Sequence, residues 1–203
     1  MTNIRDFWPL EASPLTREVW GDLLELRYQT FTGFAILEQA QGIVRPTVNL
    51  STAVGQETLR LLAFRVIEEL GEAHLAIDKD HYYEELIDAF NYLLSLTLLE
   101  GKVKPELLVQ LEVSTTVIGK HPSRMNYSTI GYCAVELGGK LGDYLRNRPW
   151  MHNAQSTYFD GDLVVLIKTT METILSLFPD ESTFYKYYVA KDSVLQFRLR
   201  SKY

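Results

Sequence analysis

The chain has little cysteine and no long apolar run. These two features indicate the compartment in which the protein is expected and argue against a membrane-spanning segment. Cys133 is the one cysteine among 203 residues, so a disulfide within the chain is excluded and a reducing compartment is expected. No apolar run approaches the roughly 20 residues of a membrane span. The first residues, MTNIRDFWPL, lack the apolar core of a signal peptide. We therefore expect a cytoplasmic protein with no membrane partner.

Positive charge is also scarce. The chain has 20 lysines and arginines against 26 aspartates and glutamates, for a net charge of −6. Because proteins that bind nucleic acid are more often basic, we expect no polynucleotide partner. Hydrophobic residues make up 46% of the chain and charged residues 23%, values that are ordinary for globular proteins. The length suffices for one sizeable domain with its own core.

Alternating strand patterns are rare, whereas helical periodicity is frequent. In the strongest example, apolar residues recur at three- and four-residue steps from Leu59 to Ile77. We expect an all-α helical bundle that follows an irregular arm at residues 1–20, with Asp78–His81 as a short loop. The predicted helices cover Arg17–Ala40, Val54–Ile77, Tyr82–Leu99, Pro105–Ile118, Ser128–Asn147, Asp162–Phe178, and a last segment from Ser182 onward.

Five acidic residues lie on the second and third predicted helices. At about 100° per residue, the acids of the second helix flank its apolar stripe, and those of the third are one turn apart. A short connection makes these helices antiparallel neighbours, so their acidic flanks face one cleft. Clustered carboxylates repel each other unless a hard divalent cation such as Mg²⁺ lies among them. The acids are Glu68, Glu69, Glu72, Glu85 and Asp88.

The five acids have two other interpretations. Glutamate-rich helix surfaces are common and are usually only solvated. Carboxylate-bridged iron sites in helical bundles use Glu-x-x-His pairs. None of the four histidines has a glutamate three residues before it, so iron is disfavoured.

The spacing Glu68-Glu69-x-x-Glu72, then Glu85-x-x-Asp88, resembles the EExxE…ExxD signature of the all-α nucleoside-triphosphate pyrophosphohydrolases. This superfamily includes MazG-like enzymes and dimeric all-α dUTPases. The resemblance implies Mg²⁺-dependent hydrolysis of a deoxynucleoside triphosphate to the monophosphate and pyrophosphate by a homodimer, with Mn²⁺ as a substitute ion. It makes Glu69, Glu72, Glu85 and Asp88 the metal ligands. Glu68 is then the candidate for orienting or deprotonating the attacking water.

The C-terminal segment resembles the end of all-α dUTPases. Tyr188, Lys191, Arg198 and Tyr203 fit the family's pattern, and the resemblance implies that they bind substrate. Asn91, one turn after Asp88, is a further candidate for contact with the sugar or base. Asp192 and Leu195 stand where the family has asparagines, and Leu199 where it has glutamine. We expect dUTP as the first substrate. The alternatives are dCTP, a purine or a modified deoxynucleotide.

An internal similarity suggests two hairpins. Residues 67–72, IEELGE, resemble residues 134–139, AVELGG, and residues 91–96 resemble residues 172–177. If the halves are copies, residues 128–178 form a degenerate second hairpin that has lost its acids; the alternative is chance similarity between helices. We expect a single pyrophosphohydrolase domain over residues 1–203, with a catalytic hairpin at 54–100 and a phosphate-binding segment at 182–203. A non-catalytic binding or regulatory protein with the same fold is the rival hypothesis.

Overall fold

The computed structural model describes residues 7, 9, 21–23, 25–27, 29–30, 53–100, 115–119, 131–132, 135–140 and 161–201. For residues 53–58, 97–100, 115 and 161–163 only the backbone is described. These parts are predominantly helical and contain no strand, as the sequence predicted. Four long helices are defined: α1 at Ala53–Leu75, α2 at Lys79–Glu100, α3 at Gly161–Ser176 and α4 at Glu181–Ser201.

Helices α1 and α2 form an antiparallel hairpin. Only residues 76–78 join them, and the two helices pack along each other. The buried positions of α1 recur at three- and four-residue steps, as expected for a helix with one face in the core. They are Leu59, Ala63, Val66, Leu70 and Ala73.

The expected loop at Asp78–His81 is shorter than predicted, because α2 begins at Lys79. The carboxylate of Asp78 accepts a 2.9 Å hydrogen bond from the backbone N–H of His81, which caps the helix. Asp180 caps α4 in the same way, through a 2.7 Å bond from the N–H of Thr183. Helix α1 ends at Leu75, two residues before the predicted end at Ile77.

Helix α2 is the centre of the core, in contact with α1, α3 and α4. Phe90 of α2 packs edge-on against Phe184 of α4, with ring centroids 5.3 Å apart. Phe178 meets the same Phe184 ring at 5.3 Å, also edge-on. Phe90, Phe178 and Phe184 are fully buried, so this aromatic cluster holds α4 against the hairpin.

The remaining described segments pack around this centre. Residues 21–23, 25–27 and 29–30 are helical and form the N-terminal helical segment. Residues 135–140 are helical, and Leu137 is buried, as is its counterpart Leu70 in the proposed repeat. The helix predicted over Pro105–Ile118 is wrong at its end, where Thr115–Val117 form a 3-10 turn that contacts α3. Within the described part of the chain, no helix has the length and apolarity to cross a membrane.

Candidate acidic site

Three carboxylates from the two antiparallel helices meet at one place. Glu69 and Glu72 come from α1, and Glu85 comes from α2. Each contributes one ligand atom, and these atoms lie within 4.8 Å of one another. Glu85 is buried, Glu69 is half-buried and Glu72 is exposed, so the group opens to solvent on one side. We call Glu69, Glu72 and Glu85 the acidic triad.

Burial and the neighbouring acidic groups change the protonation of Glu69. The pKa of Glu69 is raised from 4.5 to about 8. Burial is the largest cause, followed by a hydrogen bond with Glu85 and by the negative charges of Asp88, Glu85 and Glu72. Without a cation, these surroundings favour the protonated form of Glu69 at neutral pH.

Asp88 lies beside the triad and is bound by a lysine of α4. The Nζ atom of Lys191 is 2.5 Å from Oδ2 of Asp88 and 2.9 Å from Oε1 of Glu84. Burial raises the pKa of Asp88 to about 6, although Lys191 acts in the opposite direction. Burial also disfavours the charge of Lys191, but its two carboxylate partners outweigh this and raise its pKa.

Two residues at the site were missed by the sequence analysis. Nε2 of His81 lies 2.8 Å from Oε1 of Glu85, and Glu84 is the second partner of Lys191. The four-residue separation of His81 and Glu85 was a usable signal, since side chains at that spacing meet on a helix. Nothing in the local sequence pointed to the pairing of Glu84 with Lys191, which are 107 residues apart.

A buried polar stripe continues along α2 from the triad. Asp88, Asn91 and Ser95 follow one another at three- and four-residue steps and so share a face. Asn91 is 4% exposed, and its backbone carbonyl accepts a 2.9 Å bond from Ser95 Oγ. Nη2 of Arg27 donates a 2.8 Å bond to the same Oγ. Burial lowers the pKa of Arg27, whose Nε has no hydrogen-bond partner among the described residues.

The other predicted site residues are not part of the triad or lie outside the described residues. Glu68 is paired with Arg65 of the same helix. The hydroxyl of buried Tyr188 donates a 3.1 Å bond to the carbonyl oxygen of Leu23. Arg198 is exposed near the end of α4, and Tyr203 lies outside the described residues. The substrate-binding roles of these residues remain predictions.

The acidic triad offers oxygen atoms, the kind of ligand that Mg²⁺ prefers. Mg²⁺ prefers oxygen ligands at about 2.1 Å, so two ligands on opposite sides of the ion are about 4.2 Å apart. The triad atoms all lie within 4.8 Å of one another, slightly beyond that spacing at most. Asp88 is the adjacent carboxylate that can extend the set.

Comparison with models of known protein families, with curated proteins and with solved structures found no match to this chain.

Proposed function

We propose that the chain is a divalent-cation-dependent hydrolase that cuts a deoxynucleoside triphosphate to the monophosphate and pyrophosphate. One observation carries this proposal: three carboxylates from an antiparallel hairpin converge within 4.8 Å. The EExxE…ExxD spacing supports it, because the triad consists of residues that the resemblance makes metal ligands. We propose dUTP as the first substrate, with dCTP, a purine or a modified deoxynucleotide as alternatives.

In this proposal Glu69, Glu72, Glu85 and Asp88 hold Mg²⁺, with Mn²⁺ as a substitute. When bound, the ion offsets charge on the phosphates and lowers the pKa of a water ligand. His81 keeps one oxygen of Glu85 in place through its 2.8 Å contact. A hydrogen-bond partner of this kind fixes the orientation of a metal ligand.

The remaining residues bind or orient the reactants. Lys191 and Arg198 attract the phosphates electrostatically. Asn91 stands one turn after Asp88 on the buried stripe and is the proposed contact for sugar or base. Glu68 orients the attacking water, a role for which it must exchange its Arg65 partner. Tyr188 and Tyr203 complete the predicted substrate-binding set.

We also propose that the chain acts as a homodimer. Four exposed apolar side chains lie on α1 or directly after it: Leu61, Phe64, Leu75 and Ile77. Exposed apolar surface of this kind favours association. Sedimentation equilibrium at micromolar concentration is expected to give twice the chain mass of 23.3 kDa, and a single-chain mass would contradict the dimer.

The decisive test of the activity is pyrophosphate release from a panel of deoxynucleoside triphosphates with Mg²⁺. We expect Mg²⁺-dependent release from at least one of them, with the monophosphate as the second product. Release of single phosphates, or activity that survives a chelator, would contradict the proposed reaction. Nucleotide binding without hydrolysis would favour the rival hypothesis of a non-catalytic binding protein.

A further inference from the structure

We propose that Lys191 is an internal counter-ion of Asp88. A divalent cation must displace Lys191 before Asp88 can bind the cation together with the acidic triad. This inference rests on the proposed function, because it concerns the same cation. It assigns Lys191 a second role besides the predicted phosphate contact, namely control of when the fourth carboxylate is available.

The positions of the carboxylates carry the inference. Glu69, Glu72 and Glu85 are close enough to share one ion, whereas Asp88 is not part of that group. Its Oδ2 atom instead lies 2.5 Å from Nζ of Lys191. Because Asp88 is one turn after Glu85 on the same helix, it remains beside the triad. Lys191 is therefore already paired with the carboxylate that would bind the cation as a fourth ligand.

Glu84 allows Lys191 to release Asp88 without becoming unpaired. The ammonium group is 2.9 Å from Oε1 of Glu84, and Lys191 is only 8% exposed. A buried ammonium without a partner would be strongly unfavourable. An ammonium has three N–H donors, so Lys191 can stay on Glu84 while its other donors turn to a new acceptor. Phosphate oxygens entering with the cation are suitable acceptors.

This arrangement predicts that removing the lysine charge strengthens cation binding. In the Lys191→Gln variant, Asp88 is no longer held by a cation of the protein itself. The repulsion between that charge and the incoming ion also disappears. We expect Mn²⁺ to bind about tenfold more tightly than to the wild type, since charges a few ångströms apart interact strongly where burial limits screening by water. Mn²⁺ binding is followed by electron paramagnetic resonance, without any substrate.

Arg200→Gln is the matched control. Arg200 is exposed on the same helix, nine residues after Lys191. Nine residues correspond to about 13.5 Å along a helix, which exceeds the Debye length of about 8 Å at physiological salt. Removing this charge should leave Mn²⁺ affinity nearly unchanged. An equal effect of both variants would overturn the proposal, because general electrostatics would then explain it.

The Asp88→Asn background tests whether the effect acts through Asp88. We expect Lys191→Gln to give little or no gain there, because the neutral side chain no longer needs to be released. A full gain in that background would overturn the proposal. So would weaker Mn²⁺ binding by the single Lys191→Gln variant, which would mean that Lys191 supports the metal ligands.

A measurement on the unaltered chain covers the case in which Lys191→Gln does not fold. In protein labelled with ¹⁵N-lysine, we expect the Nζ resonance of Lys191 to shift on addition of Mg²⁺. Lys191→Arg lacks this resonance and assigns it. An unchanged resonance at saturating Mg²⁺ would overturn the displacement of Lys191 from Asp88 but would not contradict the proposed function. Absence of Mg²⁺ and Mn²⁺ binding to the wild type would overturn both.

Discussion

The hydroxyl of Thr30 donates a 2.8 Å hydrogen bond to Oδ1 of Asp192, a residue 162 positions later in the chain. Both residues are buried, and Nε2 of Gln196 donates a 2.7 Å bond to the same hydroxyl. The contact joins the N-terminal helical segment to α4. Burial raises the pKa of Asp192, while the bond from Thr30 and the charge of Arg27 oppose this. Asp192, one of the departures from the dUTPase pattern, therefore has a partner within the fold.

Thr30→Val should destabilise the protein by about 1–3 kcal/mol, because it removes a donor from a buried carboxylate. The free energy of unfolding in urea measures this effect. Thr173→Val is the control, since among the described residues its hydroxyl bonds only the carbonyl oxygen of Thr169 in its own helix. That change should stay within about 0.5 kcal/mol. Similar losses for both variants would mean that the contact between Thr30 and Asp192 contributes little.

Glu72→Gln should weaken Mg²⁺ binding by at least roughly tenfold and lower turnover strongly, because it removes the charge of one triad carboxylate. Calorimetric Mg²⁺ titration and pyrophosphate release measure the two effects. The fold should survive, since one charge fewer in a repelling group does not destabilise it. Glu136→Gln, at the position of Glu69 in the proposed repeat, should leave both quantities nearly unchanged. Equal, mild effects of the two substitutions would contradict a metal site confined to the first hairpin.

The metal-free protein should lose stability as the pH rises from about 4.5 to about 8. Glu69 titrates near 8 in the folded chain and near 4.5 when unfolded. The folded state therefore binds more protons within this window, and its stability falls as they dissociate. Urea unfolding with a chelator at several pH values measures the slope. Saturating Mg²⁺ or the Glu69→Gln substitution should reduce it. The same slope in wild type and Glu69→Gln would show that other groups cause it.

Gly119→Ala should destabilise the protein by about 1–2 kcal/mol or more, because Gly119 has a φ of +79°, where side chains are disfavoured. An added Cβ would also lie 2.9 Å from the carbonyl oxygen of Pro179. Gly71→Ala, within α1 and with no neighbour inside 4 Å of its Cβ, should instead stabilise by about 0.5–1 kcal/mol. Thermal unfolding compares the two. Destabilisation by both variants would contradict the open surroundings of Gly71.

The sequence by itself determined the helical class and the location of the acids on two neighbouring helices. Both follow from local rules, since apolar periodicity reports which face of a helix is buried and a short connection makes neighbours antiparallel. The cap at Asp78 was also a local signal. The assignment of Asp78–His81 to a loop missed this cap, because a run of charged residues is also typical of a solvated turn.

Tertiary structure alone decided which carboxylates pair with residues from distant parts of the chain. The sequence placed Asp88 with the other acids, but α4 brings Lys191 to it from far along the chain. Arg27 reaches Ser95 across 68 positions in the same way. Periodicity gives the face of a helix but neither its rotation nor its distance from a third helix. Those depend on core packing, here around Phe90 and Phe184, and a buried charge then pairs with whichever group that packing places nearby.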